Sequence, residues 1–303
     1  MPPLLNSVAV AGGSGNLGSY LVRALTAANF EVAVLTRSSP SSAADLPAGV
    51  TAKEVEYEKQ ETLVEALEGV NVVVGALVCP KAQTQLIEAV KEVGTVKLYV
   101  PAEFAMPTTH LTSEDHPAFY SKTQAQQLLK ELEIPFLLVF CGAFTDEIFS
   151  PLYGFDFPAG QATLIGSGDT PISFTTRTDV ARFLAHHLSV AYPSSSSLPS
   201  PTKPDILRIE GDRKTFAQAV ELYDQTHPAA AKGKLEIKHT PLAAAEATAK
   251  DLEGDFYASL VAYCLVVAEE GGCCVADGEG RTSSGAWEGW RPKGVEEVLR
   301  EME

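Results

Sequence analysis

The sequence predicts an α/β protein built on a doubly wound parallel sheet, followed in the chain by a smaller α+β lobe. Three observations predict it. The apolar run Val8 to Ala11 enters a glycine-rich turn, GGSGNLG, which opens a segment with Leu17, Leu21 and Leu25 on one stripe. Apolar runs and amphipathic segments then alternate as far as Phe140, the pattern of parallel strands joined by right-handed helical crossovers. After about residue 143 the chain turns rich in Phe, Tyr, Pro and Gly and loses that alternation.

Taken in order, Val8–Ala11 is the first strand, and the Leu17, Leu21, Leu25 stripe is the first helix. Val32 to Leu35 is the second strand, ending on Thr36-Arg37-Ser38. Val50 to Val55 reads as a strand, Gln60 to Leu67 as a short helix, and Val70 to Gly75 as a buried strand. Ala82 to Val93 is amphipathic, with Leu86, Ile87 and Val90 inward. Val96 to Val100 is a strand stopped by Pro101; Ala118 to Leu132 is a helix, and Phe136 to Phe140 the next strand. In the second half, Ala191 to Pro204 reads as a Ser/Pro linker or exposed loop. A strand at Ile206 to Ile209 and helices at Thr215–Thr226, Phe256–Ala268 and Val295–Met302 follow, with a glycine-rich loop from Gly271 to Gly289. The expected division is 1–143 and 144–303, with some later segments returning to the first domain.

Strand, glycine turn, helix and strand together are the setting a dinucleotide fingerprint requires. Gly12 would turn the chain out of the strand, Gly15 would let backbone N–H groups approach a pyrophosphate, and Gly18 would let the helix pack on the sheet. Ser14, Asn16 and Leu17 complete the expected phosphate loop at a helix N-terminus. The competing reading is a tight turn that binds nothing. At the end of the second strand, Thr36 and Arg37 stand where an NAD site carries a carboxylate, and a guanidinium suits the 2′-phosphate of NADP. A solvated surface arginine is the plain alternative. Ligands of such sheets sit beyond the C-terminal strand ends. That edge adds Ala76, Leu77 and Pro101 to the expected cofactor contacts and brings the Cys141–Phe144 segment alongside.

Composition narrows the function classes. The 303 residues carry a formal net charge of −16 and no lysine/arginine cluster, which disfavours nucleic acid and anionic membranes as partners. No apolar run is long enough to span a bilayer, and a strand that starts almost at once leaves no room for a signal peptide. The five cysteines match neither zinc nor redox spacings, Cys273-Cys274 reads as two thiols in a loop, and a reducing cytosol is the simplest compartment. No metal-ligand pattern and no G-x-S-x-G occur.

Several separated segments share one resemblance: GGSGNLG, LTR, VGAL, KLYVPAEFAMP, a lysine at Lys122 opening a helix, IPFLLVFCGAF, and ATLIGSGDTPISFTTRTDVARFLAHHL. Together they resemble the NmrA-like and isoflavone-reductase-like family of atypical short-chain dehydrogenases/reductases, over roughly residues 6 to 190. VPAEFA is similar to that family's P-S-E-F-G signature and is the most specific match. Ala102 and Ala105 replace its serine and final glycine, no second cation follows Arg37 in the loop Ser38 to Leu46, and Tyr57 takes the place of a short acidic residue after the third strand. A ring there is suited to stack on adenine.

The resemblance implies an NADP(H)-dependent reductase of an aromatic or conjugated small molecule such as an enone or imine. It also leaves room for an NADP(H)-binding regulator without catalysis, or an isomerase. Tyr120 and Lys122 are two residues apart, so the Tyr-x-x-x-Lys dyad of ordinary short-chain dehydrogenases is absent. The resemblance makes Lys122 alone the acid/base group, with Tyr120 and Ser121 flanking it. Phe144, Ile148, Phe149, Phe155 and Phe157 are the expected apolar wall for a flat substrate, or equally an aromatic core. Glu103 is expected to pair structurally, and His110 and His116 are assigned no role.

Overall fold

The computed structural model describes residues 4–37, 46–109, 111–112, 115–227, 235–252 and 254–302. The chain divides into two compact units, one of residues 1–103, 108–139 and 180–207, the other of residues 104–107, 140–179 and 208–303.

The first unit holds β1 (Ser7–Ala11), α1 (Gly18–Ala27), β2 (Glu31–Thr36), β3 (Thr51–Glu54), α2 (Gln60–Leu67), β4 (Val72–Gly75), α3 (Pro80–Val93), β5 (Leu98–Val100) and α4 (Pro117–Glu131), with β6 (Leu137–Phe140) at its margin. The five-stranded sheet runs β3-β2-β1-β4-β5, all parallel. β6 continues it through a parallel bridge between Tyr99 and Phe136, supported by the Tyr99 N–H donating to the Pro135 oxygen at 2.9 Å. β1 pairs Val8 with Val32 and Val72, and Val10 with Val34 and Val74. A parallel strand buried between neighbours and under helices needs apolar residues on both faces, which is why Val8-Ala9-Val10-Ala11 is continuous rather than alternating. Strand order reverses between β1 and β4, so their C-terminal ends form the switch point at which this doubly wound, Rossmann-like fold opens a crevice.

Beyond β6 come β7 (Ala143–Phe144), α5 (Thr145–Ile148), β8 (Phe155–Asp156), β9 (Gln161–Ile165) and β10 (Ile172–Thr175). α6 (Arg177–Val190) leads back into the first unit, where β11 (Asp205–Arg208) lies beside β6. β12 (Asp212–Lys214), α7 (Phe216–Thr226), β13 (Glu236–Thr240), α8 (Leu242–Asp251), α9 (Phe256–Glu269) and α10 (Val295–Arg300) complete the second unit. Its sheets are β12-β10-β7 and β13-β9-β8. Its core is aromatic: the ring of Phe149 packs on Phe155, Phe157 and Phe174, and Phe155 on Phe216.

The expected helices and strands of the first half all form, with ends that match or shift by one or two residues. The Ser/Pro segment 191–204 is an exposed loop tied at both ends: Tyr192 is buried, and a 3-10 turn at Ser195–Ser197 precedes a bridge between Ser200 and Lys203. Among the described residues no helix is long and apolar enough to cross a membrane.

Candidate dinucleotide and proton-transfer site

The β1–α1 turn is shaped by what its glycines exclude. Gly12 has φ 79°, and a Cβ there would lie 2.4 Å from the Ala76 oxygen, so only glycine lets β1 leave the sheet alongside the end of β4. A Cβ on Gly18 would stand 2.0 Å from the Gly12 oxygen, and one on Gly13 would press on Val34 at 2.8 Å. Gly15 differs. Its N–H donates to the Gly12 oxygen at 2.9 Å, and a Cβ would meet only that oxygen, at 3.1 Å. Ser14, Gly15 and Asn16 are exposed, while Leu17 and Gly18 are buried under them. α1 begins with no side-chain cap and no acidic residue in its first turn. Its first N–H groups and positive dipole end are therefore not neutralised by a carboxylate of the helix. This open, uncapped cradle fits a dinucleotide pyrophosphate.

At the end of β2, Thr36 is half-buried and Arg37 exposed; Ser38 to Asp45 lie outside the described residues. Tyr57 is buried, and among the described residues its hydroxyl has no hydrogen-bond partner. Burial pushes that phenol up to about 12, with the Arg37 charge pulling it back and Cys79 pushing it further. Arg37 is therefore close enough to the C-terminal end of β3 for its charge to be felt there. The ring expected to stack on adenine is largely covered. Ala76 and Leu77 are half-buried between β4 and α3, which starts with Cys79 at its cap and Pro80 in its first turn. Pro101 is buried at the end of β5, and the Gln83 side chain accepts from the Ala102 N–H at 2.9 Å, binding α3 to this loop.

Lys122 lies in the second turn of α4. Its Nζ donates to the Glu103 main-chain oxygen at 2.6 Å and stands 5.5 Å from the Phe119 ring centre. Glu103 is buried, and its carboxylate accepts from Thr108 Oγ1 and Gln126 Nε2, each at 2.7 Å. Tyr120 is half-buried, and Ser121 donates back to the Ala118 oxygen at 2.8 Å as a helix-entry residue. His116 caps α4, its Nδ1 accepting from the Ala118 N–H at 3.2 Å. His110 lies outside the described residues.

Turn glycines, Thr36, Arg37, Ala76, Leu77, Pro101, Tyr120 and Lys122 all belong to the first unit. The expected wall residues Phe144, Ile148 and Phe149 belong to the second. Phe144 is half-buried, Ile148 is 8% exposed, and Phe149, at 4%, gives its ring to the aromatic core. Sequence reasoning missed Gly13, Gln83, Thr108 and Gln126. The doubled glycine could have pointed to Gly13; the other three act through contacts distant in sequence. The described residues contain no group of three metal-ligating side chains and no disulfide, and burial pushes the Cys273 thiol far up.

The chain is 29% identical over 188 residues to the probable pinoresinol-lariciresinol reductase 3 of Arabidopsis thaliana, covering 58% of this chain and 61% of that protein. It is 30% identical over 203 residues to the bifunctional pinoresinol-lariciresinol reductase 2 of Linum usitatissimum, covering 59% and 60%. The matched stretch thus spans about six-tenths of these relatives' length. Among solved structures, AtPrR2 with NADP+ and (+)pinoresinol superposes with a TM-score of 0.79 at 22% identity, over 98% of both chains. The binary complex of leucoanthocyanidin reductase and NADPH from Vitis vinifera gives 0.79 at 19%, over 97% of this chain and 98% of that one. At these identities the superpositions establish the shared fold. The profile of the NmrA-like family matches residues 6–194, well over half of the chain, and the chain belongs to that family.

Proposed function

We propose that this protein is an NADP(H)-dependent reductase of an aromatic or conjugated small molecule, with Lys122 as its acid/base group. One observation carries the reading. The open cradle at Gly15 and the Lys122 ammonium, seated on the Glu103 oxygen, both lie beyond the C-terminal ends of strands of one parallel sheet. Backbone N–H groups from Ser14 to Gly18 would hold the pyrophosphate, and Arg37 the 2′-phosphate by charge-assisted hydrogen bonds. Thr36, Ala76, Leu77 and Pro101 would flank the rest of the nucleotide. When bound, the reduced nicotinamide supplies a hydride. Lys122 spends one of its three ammonium protons on Glu103 and keeps two for a substrate oxygen or nitrogen. Tyr120, half-buried two residues before Lys122 on α4, would meet the substrate. The names of the matched relatives and structural neighbours, pinoresinol-lariciresinol and leucoanthocyanidin reductases, support an aromatic substrate.

The test is single-turnover oxidation of saturating NADPH by an accepted lignan, isoflavonoid, enone or quinone. Lys122→Ala is expected to lower the rate by about 10²–10⁴-fold with little change in NADPH affinity. Lys122→Arg should not rescue, because a guanidinium cannot cycle its proton. A near-native rate in Lys122→Ala would take lysine out of the mechanism. NADPH binding without turnover of any substrate would favour a dinucleotide-binding regulator.

A further inference from the structure

A carbonyl holds a lysine only as steadily as the carbonyl is held. Glu103, whose oxygen receives Lys122, sits in the loop after β5, just before Phe104 at φ 34°, a left-handed backbone that side-chain-bearing residues rarely adopt. Gln83 ties this loop to α3, and the Glu103 side chain ties it to α4. Glu103 is 2% exposed, and among the described residues it makes no ion pair. Thr108 Oγ1 donates to one carboxylate oxygen at 2.7 Å and Gln126 Nε2 to the other at 2.7 Å, while Gln126 Nε2 also donates to Thr108 Oγ1 at 3.0 Å. The three side chains close a buried triangle. Lys122 and Gln126 are four residues apart on α4 and so share one helix face. That face grips residue 103 twice: Lys122 takes its main chain, Gln126 its side chain.

We propose that Glu103, Thr108 and Gln126 form a clasp that positions the Lys122 ammonium for proton transfer. The chemical half of this statement rests on the role of Lys122 argued above; the positional half does not. A lysine side chain is long and freely rotating, and fixing it costs conformational entropy. A rigid acceptor selects one placement, and proton transfer needs that placement within hydrogen-bond reach of the substrate. A buried triangle is a rigid support, because removing any member leaves a buried partner unsatisfied. Glu103, Thr108 and Gln126 are thus positioning residues that act through the lysine.

Two readouts test this. The first needs no substrate: limiting acetic anhydride is added to the folded protein, and acylation of Lys122 is measured by mass spectrometry against Lys130 on the same helix. Thr108→Val and Gln126→Leu each remove one donor and are expected to raise the Lys122/Lys130 ratio several-fold. Thr108→Ser keeps the hydroxyl and should return the native ratio, which separates the clasp from general loosening of α4. An unchanged ratio in both folded variants overturns the proposal. The second readout uses NADPH with an accepted substrate. Gln126→Leu should lower kcat by about ten- to a hundredfold and leave the NADPH dissociation constant unchanged. In a Lys122→Ala background it should lower the rate no further. Faster labelling with native kcat would overturn the positioning role. A native rate in Lys122→Ala would instead defeat the proton-transfer reading, while the labelling ratio still decides whether the clasp holds the lysine.

Discussion

At the scale of single residues, the phosphate turn separates glycines that the fold needs from one that the fold does not. Gly12 and Gly18 are enforced by backbone at 2.4 Å and 2.0 Å from any added Cβ, so a side chain at either breaks the turn itself. At Gly15 a Cβ meets one carbonyl at 3.1 Å, and the residue is exposed. Gly15→Val is therefore expected to fold with a near-native thermal midpoint and to lose NADPH binding by calorimetry. Retained binding would refute the cradle. His187 is a second residue with a distinct signature. Burial holds its imidazole below the usual value of 6.5, with Asp205 pulling it up and His186 pushing it down. Its Nε2 lies 3.3 Å from the Tyr192 hydroxyl, which donates to Asp205 at 2.9 Å. The folded state thus binds fewer protons at this site than the unfolded chain. The resulting stability is complete above pH of about 6.5 and is lost as pH falls through the folded value. Thermal midpoints from pH 7.5 to 5 should fall less steeply for His187→Gln than for the native chain, and parallel profiles would show no linkage.

At the scale of elements, α7 shows how a local device sets a boundary. Thr215 Oγ1 accepts from the Gln218 N–H at 3.1 Å, and the Gln218 side chain accepts from the Thr215 N–H at 3.0 Å, a reciprocal capping box. Thr215→Ala is expected to cost about 1 kcal/mol in urea unfolding, and Thr215→Ser to cost little. Such signals explain what the sequence disclosed. Four consecutive apolar residues marked β1, and Leu17, Leu21 and Leu25 marked α1, because each signal is local. β8 and β12 are two and three residues long, too short to show a period, and β13 is exposed along nearly its whole length, so no burial pattern announces it. The site divides the same way. The cradle was legible because a turn's steric needs are written in adjacent residues. The triangle of Glu103, Thr108 and Gln126 was not, since a buried hydrogen bond across 18 or 23 positions leaves no periodic trace. Phe149 read equally as pocket wall or aromatic core, because aromatic residues serve both; its ring packs among Phe155, Phe157 and Phe174.

At the scale of the whole molecule, the chain does not finish its first unit before starting its second. Residues 180–207 return to the first unit after residues 140–179 have entered the other. The returning segment carries Val180, Ala181, Phe183, Leu184, Leu188, Tyr192 and Leu207, none more than 4% exposed, and β11 lies beside β6. Burying one large apolar side chain contributes about 1.5–3 kcal/mol. A domain's whole net stability is only about 5–15 kcal/mol. Removing five large side chains of this kind therefore takes away as much as the first unit has to lose, and it uncovers the edge of β6 as well. A fragment ending at residue 143 keeps every glycine of the cradle, Arg37 and Lys122, yet it is expected to show no cooperative unfolding transition and no NADPH binding. The full chain, by contrast, should unfold cooperatively and gain about 2.7 kcal/mol at NADPH concentrations a hundredfold above its dissociation constant. The comparison is made by circular dichroism melting of both chains with and without NADPH. A fragment that melts cooperatively and is stabilised by NADPH to the same degree would show that residues 180–207 decorate the dinucleotide-binding fold rather than complete it.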